Sequence, residues 1–345
     1  MLRNDSSFFR FPGLLAAAVA LLLCACNGPG RYVAVTGFAQ GGNYSVKFNT
    51  KGVRVPRAEI ASAIDSILVL VDTTLSGYNK SSQLSRFNAG ETIVPNRLFS
   101  DIYSYSHDIW EETGGCVDVA AGPLFDIWGF GFSNDSLPSD DKVRSVLENC
   151  GMVRLQGSIT PGEPLDAASF GDARLNFNAI AQGYTCDLVA DYLRSIGVRD
   201  MLVDIGEIYC AGVNPSGRDW SIGVDRPVDG NDTPGADLDG IWQSAGRSCG
   251  IVTSGNYRKF YVRDGRKYSH TIDPRTGYPV EDTLLSATIV APTAAAADAY
   301  ATYCMVLGVG EARAFIEGRA DLEGYLIYDD GGTMTEWASP GFTLR

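Results

Sequence analysis

Residues 253–302 read TSGNYRKFYVRDGRKYSHTIDPRTGYPVEDTLLSATIVAPTAAAADAYAT, and the rest of the chain reads as their support. The segment opens with alternating polar and apolar residues, makes a sharp turn, and ends in an Ala-rich run that should be helical. The chain has two histidines. One of them, His270, stands directly ahead of Ile272-Asp273-Pro274-Arg275-Thr276-Gly277. Asp-Pro-Arg-Thr-Gly predicts a tight turn, with Pro274 fixing φ and Gly277 closing it, and such a turn holds its side chains in fixed directions. Further on, Asp298 and Thr302 are four apart, which puts a carboxylate and a hydroxyl on one helix face. Hard oxygen ligands of this kind suit Mg²⁺ or Ca²⁺ better than zinc. A lone histidine is more often a surface or core residue, and Asp/Thr pairs at this spacing are usually solvated or capping. The pattern around them has to decide.

Working outward, 345 residues can bury a large core, and 45% hydrophobic with 20% charged residues is an ordinary soluble balance. The net charge of −13 and the lack of any basic run argue against nucleic acid as a partner. An acidic protein that takes a polyphosphate needs a local cation, which a metal would supply.

At the N-terminus, Arg3 and Arg10 precede an apolar run from Leu14 to Leu23 that is too short to span a bilayer. The run ends Leu23-Cys24-Ala25-Cys26-Asn27-Gly28, which looks like a lipoprotein processing box with Cys26 as the acylated residue. Residues 1–25 are expected to be a signal peptide, 26–31 a lipidated tether and 32–345 one folded domain. The product would be an exported lipoprotein anchored to the membrane and facing the periplasm. The remaining cysteines are Cys116, Cys150, Cys186, Cys210, Cys249 and Cys304. None has C-x-x-C spacing, so most should be buried small hydrophobes.

In chain order, Tyr32–Asn49 predicts a β-hairpin, and Ile60, Ile64, Ile67, Leu68 and Val71 form the stripe of a helix starting after Pro56. Residues 75–88 read as an irregular loop of the kind that meets ligands, in which Tyr78 is either packing or a platform for a flat ring. Leu98–Thr113 reads as a helix with His107 facing out. Cys116–Val119 and Arg174–Asn178 read as strands, Ser139–Asn149 as a capped helix and 152–172 as loop. A helix should follow Ala179 up to Ile196, with its start open to a ligand. Strands are expected at 201–205, 220–224 and around 241–252, helices at 293–307 and near 311–317, and a hairpin at 322–337. The mixture without regular βαβ alternation predicts α+β. No GxGxxG, P-loop or GxSxG motif is present.

With these residues in view, the chain closely resembles the ApbE family, the FAD:protein FMN transferases. The matching pieces are SGYNKSSQLSRFN (76–88), GGCVDVAAGPLFDIWGFG (114–131), NFNAIAQGYTCD (176–187), LVDIGEIYCAG (202–212), TSGNYRKFYVRDGRKYSHTIDPRTGYP (253–279) and SATIVAPTAAAADAYAT (286–302). The resemblance implies a single α+β, T-fold-related domain with mixed or antiparallel sheets and packed helices. It implies FAD as substrate, Mg²⁺ as the metal, and transfer of FMN onto a Thr or Ser hydroxyl of an acceptor protein with release of AMP. The family's metal site carries over onto Asp298, Thr302 and the carbonyls of Ala179 and Ala301. Flavin contacts carry over onto Gln40, Tyr78, Cys116, Val117, Asp118, Asn176, Gln182 and Ile272, and the reactive histidine falls on His270. The chain departs from the family where Asn176, Asn178 and Gln182 replace Asp, Gly and Lys, and where Glu207 replaces a Gly. Two other readings stay open: an FAD pyrophosphatase giving FMN and AMP, and a lipoprotein that only binds flavin.

Overall fold

The computed structural model describes residues 32–131, 137–155, 159–231, 233–257, 260–263 and 265–345, with the side chain of Arg266 excepted. The expected signal segment, Cys26 and the tether to residue 31 lie outside the described residues.

The chain enters as the hairpin β1 (Tyr32–Ala39) and β2 (Gly42–Asn49), with Tyr32 opposite Asn49 and Ala39 opposite Gly42. Gln40 stands at its tip with φ of 51°. In α1 (Arg57–Leu75) the stripe of Ile60, Ile64, Leu68 and Val71 is buried. The loop expected at 75–88 contains a helix, α2 (Gln83–Asn88). Ser82 caps it by accepting from the Ser85 amide at 2.9 Å, and Leu84 and Phe87 are buried. Two apolar anchors in a polar stretch are too few to show a helical period by composition. Asn96 caps α3 (Arg97–Glu112), where His107 lies half-exposed against Trp110.

The strands expected at Cys116–Val119 and Arg174–Asn178 do not form. Side chains take the place of a ladder: Asp118 accepts from the Ala120 and Met152 amides at 2.8 and 2.9 Å, and Asn176 accepts from the Asn178 amide at 3.0 Å. What pairing there is consists of an isolated bridge between Ala121 and Arg174 and a bond from the Asn176 amide to the Val119 carbonyl. Short polar side chains compete with the backbone in this way. There follow α4 (Gly122–Ile127), α5 (Asp140–Leu147) with Ser139 as its expected cap, and two 3₁₀ turns at Met152–Arg154 and Ala167–Phe170.

Beyond α6 (Ala181–Ser195) come β3 (Met201–Asp204), β4 (Ile208–Ala211), β5 (Ser221–Asp225), β6 (Leu238–Gln243), β7 (Cys249–Gly255), β8 (Phe260–Arg263), β9 (Arg266–Ser269), β10 (Ile272–Asp273), β11 (Tyr278–Pro279) and β12 (Leu284–Ala291). The chain closes with α7 (Ala294–Leu307), α8 (Val309–Glu317), β13 (Glu323–Asp330) and β14 (Thr333–Ala338).

One eight-stranded sheet organises these elements in the order β1-β2-β3-β4-β7-β12-β13-β14, every neighbouring pair antiparallel. This is the α+β arrangement with antiparallel sheets that the sequence predicts. One face of β1–β4 is covered by α1 and α6 through Ile60, Ile64, Val189 and Leu193. Next to it, α7 covers β7 and β12 through Ala297, Ala301 and Cys304. Trp220, Ile222 and Trp242 of the β5–β6 region, with Phe342, pack against Cys210, Ile251 and Ile327 of the central strands. Burial on both faces explains why Met201–Val203 and Val290 sit in apolar runs and not in strict alternation.

Candidate active site

The closest contact between functional elements lies where α6 meets α7. A β-carbon on Gly183 would fall 2.3 Å from the Ala294 carbonyl, so only glycine lets the two helices approach this far. The Gly183 amide donates to Asp298 Oδ2 at 3.1 Å. Gly183 is the third residue of α6, so its amide is one of the N-terminal donors that no carbonyl of the helix can reach, and Asp298 satisfies it from α7. Ala179 stands just ahead of Ile180, the residue that precedes the helix. One turn along α6, Asp187 accepts from the Ala294 and Ala295 amides at 2.9 and 2.8 Å. It thus holds the N-terminus of α7 together with Thr293, which accepts from the Ala296 amide at 3.1 Å.

Both carboxylates feel their burial. The Asp298 carboxyl is pushed up to about 7, chiefly by burial and partly offset by the Gly183 amide, with the neighbouring Asp187 charge adding to the rise. Asp187 is raised to about 6, again by burial first. Among the described residues no Lys or Arg forms an ion pair with Asp298. A buried carboxylate without a cation is costly, and it is suited to receive one. Thr302 follows one turn later, half-buried, with Ala301 fully buried beside it. A carboxylate, a hydroxyl and backbone carbonyls are hard oxygen donors of the kind that Mg²⁺ takes. Among the described residues no three His, Cys, Asp or Glu side chains gather as they would for zinc.

The residues expected to meet flavin fall around this junction unevenly. Gln40 reaches from the β1–β2 tip to α6, where its Nε2 donates to Thr185 Oγ1 at 2.8 Å. Gln182 lies over Gly206, where a β-carbon would come within 2.5 Å of its Nε2. Asn176 is buried, and its side chain is engaged with the Asn178 amide. Asp118 is likewise occupied by backbone amides, which oppose the upward push of burial on its carboxyl. Its side chain therefore shapes the 116–121 turn. Val117 is buried, with its amide bonded to Thr113 Oγ1 at 3.2 Å. Ile272 is buried in the cluster of Leu124, Trp128 and Val143. Tyr78 stands 74% exposed.

The histidine turn is pinned from several sides. The Gly277 amide donates to the Asp273 carbonyl at 2.8 Å, and Arg275 Nε and Nη2 both reach the Asp273 carboxylate at 3.0 Å. Trp128 Nε1 donates to the Gly277 carbonyl at 2.8 Å, and Thr271 Oγ1 to Asn256 Oδ1 at 2.7 Å. The His270 ring meets Phe130 edge-on at 6.4 Å, beside the stacked rings of Phe130, Tyr261, Tyr268 and Trp128. Burial raises the Cys116 thiol to about 11, a rise that the Arg275 charge opposes. One open cleft of about 280 Å³ lies beside Lys142 and Arg174, and another of about 430 Å³ lies beside Asn256 and Ser269, next to the histidine turn. Neither is lined by Asp298, Thr302 or His270.

Sequence reading did not single out Gly183, Asp187 or Arg275. The spacing of Gly183 and Asp187, four apart on α6, carried a signal: both face one neighbouring helix. Arg275 carried none, because its two bonds to the Asp273 carboxylate depend on how the turn closes.

Comparison with known proteins places these features in a family context. A family model described as "ApbE family" matches residues 41–326. The chain is 32% identical to FAD:protein FMN transferase of Escherichia coli (strain K12) over 83% of its length and 81% of that protein. It is 31% identical to FAD:protein FMN transferase of Klebsiella pneumoniae (strain 342) over 98% and 97%. The structure superposes on the flavin transferase ApbE from Vibrio cholerae with a TM-score of 0.75 at 29% identity, covering 90% of this chain and 98% of that one.

Proposed function

The chain belongs to the ApbE family of transferases, and from that premise we propose that it moves FMN from FAD onto a Thr or Ser hydroxyl of an acceptor protein, releasing AMP. The observation that carries this reading is the buried Asp298, bonded to the Gly183 amide where α6 meets α7, with Thr302 one turn along the same helix. An oxygen set of this kind in an acidic protein meets the need of a diphosphate substrate.

Asp298, Thr302 and the Ala179 and Ala301 carbonyls would hold Mg²⁺, which when bound supplies charge neutralisation at the pyrophosphate. Gln40, Gln182 and Asn176 orient the dinucleotide through amide groups that both donate and accept. Tyr78 offers a stacking face, and Cys116, Val117, Asp118 and Ile272 complete the contacts with FAD. The acceptor hydroxyl gives its proton to His270 as its oxygen attacks the FMN phosphorus. The bond from that phosphorus to the AMP oxygen breaks, and AMP leaves with the electron pair. The aromatic wall of Phe130, Tyr261 and Tyr268 keeps the imidazole oriented and limits water. Lipidation at Cys26 would tether the enzyme to the membrane facing the periplasm, near exported or membrane-bound electron-transfer proteins.

The deciding experiment incubates the protein with FAD and Mg²⁺, with and without candidate acceptor proteins, followed by intact mass and AMP release. FMN added to an acceptor Thr or Ser is the expected result. AMP released equally without acceptor would replace transfer by hydrolysis, and FAD left intact would reduce the protein to a flavin binder.

A further inference from the structure

The eight-stranded sheet is joined at a single seam. β1 to β4 come from residues 32–211 and β7, β12, β13 and β14 from residues 249–338, so among the described residues the strands of the two halves pair only where β4 lies against β7. That ladder is short: Ile208 opposite Ile251, Tyr209 opposite Gly250 and Cys210 opposite Cys249. The seam therefore ends on two directly facing cysteines. Their Sγ atoms are 3.9 Å apart, and both side chains are buried. Directly opposed residues of antiparallel strands have α-carbons within the range that a disulfide bridges.

We propose that Cys210 and Cys249 form a cross-strand disulfide that staples the two halves of the sheet. The oxidant is an external disulfide, small-molecule or protein. The thiolate of one cysteine of the pair attacks one of its sulfurs, a mixed disulfide forms, and one thiol leaves. The sulfur of the other cysteine then attacks the first, the second external thiol leaves, and the two protons and two electrons of the cysteine pair end on the released thiols. Because Trp220 and Trp242 cover the pair in the folded sheet, the exchange takes place as β4 and β7 first pair during folding. Among the described residues no other two cysteines lie within hydrogen-bonding distance, and Cys186 is occupied by the Glu207 carbonyl.

The staple matters to the site because the seam divides it. Gln40 and Gln182 come from the segment that carries β1–β4, whereas Asp298 and His270 come from the segment that carries β7 and β12–β14. The test refolds the reduced full chain with oxidised glutathione, alkylates it under denaturing conditions and maps its peptides. The expected product is two hydrogens lighter, links the peptides containing Cys210 and Cys249, and leaves Cys116, Cys150, Cys186 and Cys304 alkylated. In parallel, the oxidised protein should unfold at a higher urea concentration than the reduced one, and the difference should vanish in the C210A/C249A variant. Alkylation of all these cysteines, or linkage of any other pair, overturns the assignment. Linkage with identical urea midpoints overturns the stapling role. None of these readouts requires flavin transfer, so the result stands apart from the fate of the proposed activity.

Discussion

The Gly183 amide bonds to Asp298 Oδ2 at 3.1 Å. One hydrogen bond from the open N-terminus of α6 thereby joins that helix to the buried carboxylate of α7. The Gly183→Ala variant should push its β-carbon into the Ala294 carbonyl and separate the helices. We expect a loss of about 1–3 kcal/mol of stability, the usual cost of overpacking, together with a weakened response to Mg²⁺. Urea unfolding with and without Mg²⁺ measures both, and wild-type behaviour in each would refute the contact's importance.

Asp298 and Asp187 make the metal-free protein sensitive to pH. Both carboxyls are raised above the ordinary aspartate value, to about 7 and about 6. A raised folded value means that the native state holds protons longer than the unfolded chain. The stability this contributes is complete below the unfolded value near 4 and is lost as pH rises through 6 to 7. Relative to wild type, Asp298→Asn should therefore gain stability between pH 5 and pH 8 in EDTA (roughly the window of the shift). Added Mg²⁺ should stabilise the wild type at pH 8 and leave the variant unchanged. Parallel pH profiles for the two proteins would contradict this.

His270→Ala should retain FAD binding while transfer falls by about 10²–10⁴-fold, the usual contribution of a positioned general base. Flavin fluorescence titration measures binding, and acceptor mass measures transfer. Full transfer by the variant would remove His270 from the reaction.

Trp128 acts on the same histidine at one remove, through its bond to the Gly277 carbonyl. Trp128→Phe keeps most of the packing in the Leu124–Ile272 cluster but loses that bond, at a cost of about 1 kcal/mol. The rate of transfer should drop more than FAD affinity, because the hairpin carrying His270 loosens. Equal losses in both would point to a general structural role.

Gln40 ties the β1–β2 tip to Thr185 of α6. Gln40→Ala and Thr185→Val should each weaken FAD binding, and the double variant should lose less than their sum. Additive losses in calorimetric titrations would show that the pair is uncoupled.

Long periodic elements were legible from residue patterns. The α1 stripe, the Ser139 cap, the Tyr32–Asn49 hairpin and the Asp-Pro-Arg-Thr-Gly turn all stand where spacing predicts. The misreadings at 83–88, 116–119 and 174–178 share a cause. In each, a serine, aspartate or asparagine side chain takes over a backbone bond, and apolar alternation does not register that exchange.

Local order followed from the chain alone, because helix stripes, caps and tight turns are set by residues within a few positions of one another. Tertiary packing decided the rest: the seam between β4 and β7, the bond from the Gly183 amide to Asp298, and the docking of Trp128 on the Gly277 carbonyl. These relationships join residues far apart in sequence, and their energies come from burial and close approach, which exist only once the sheet and its helices have come together.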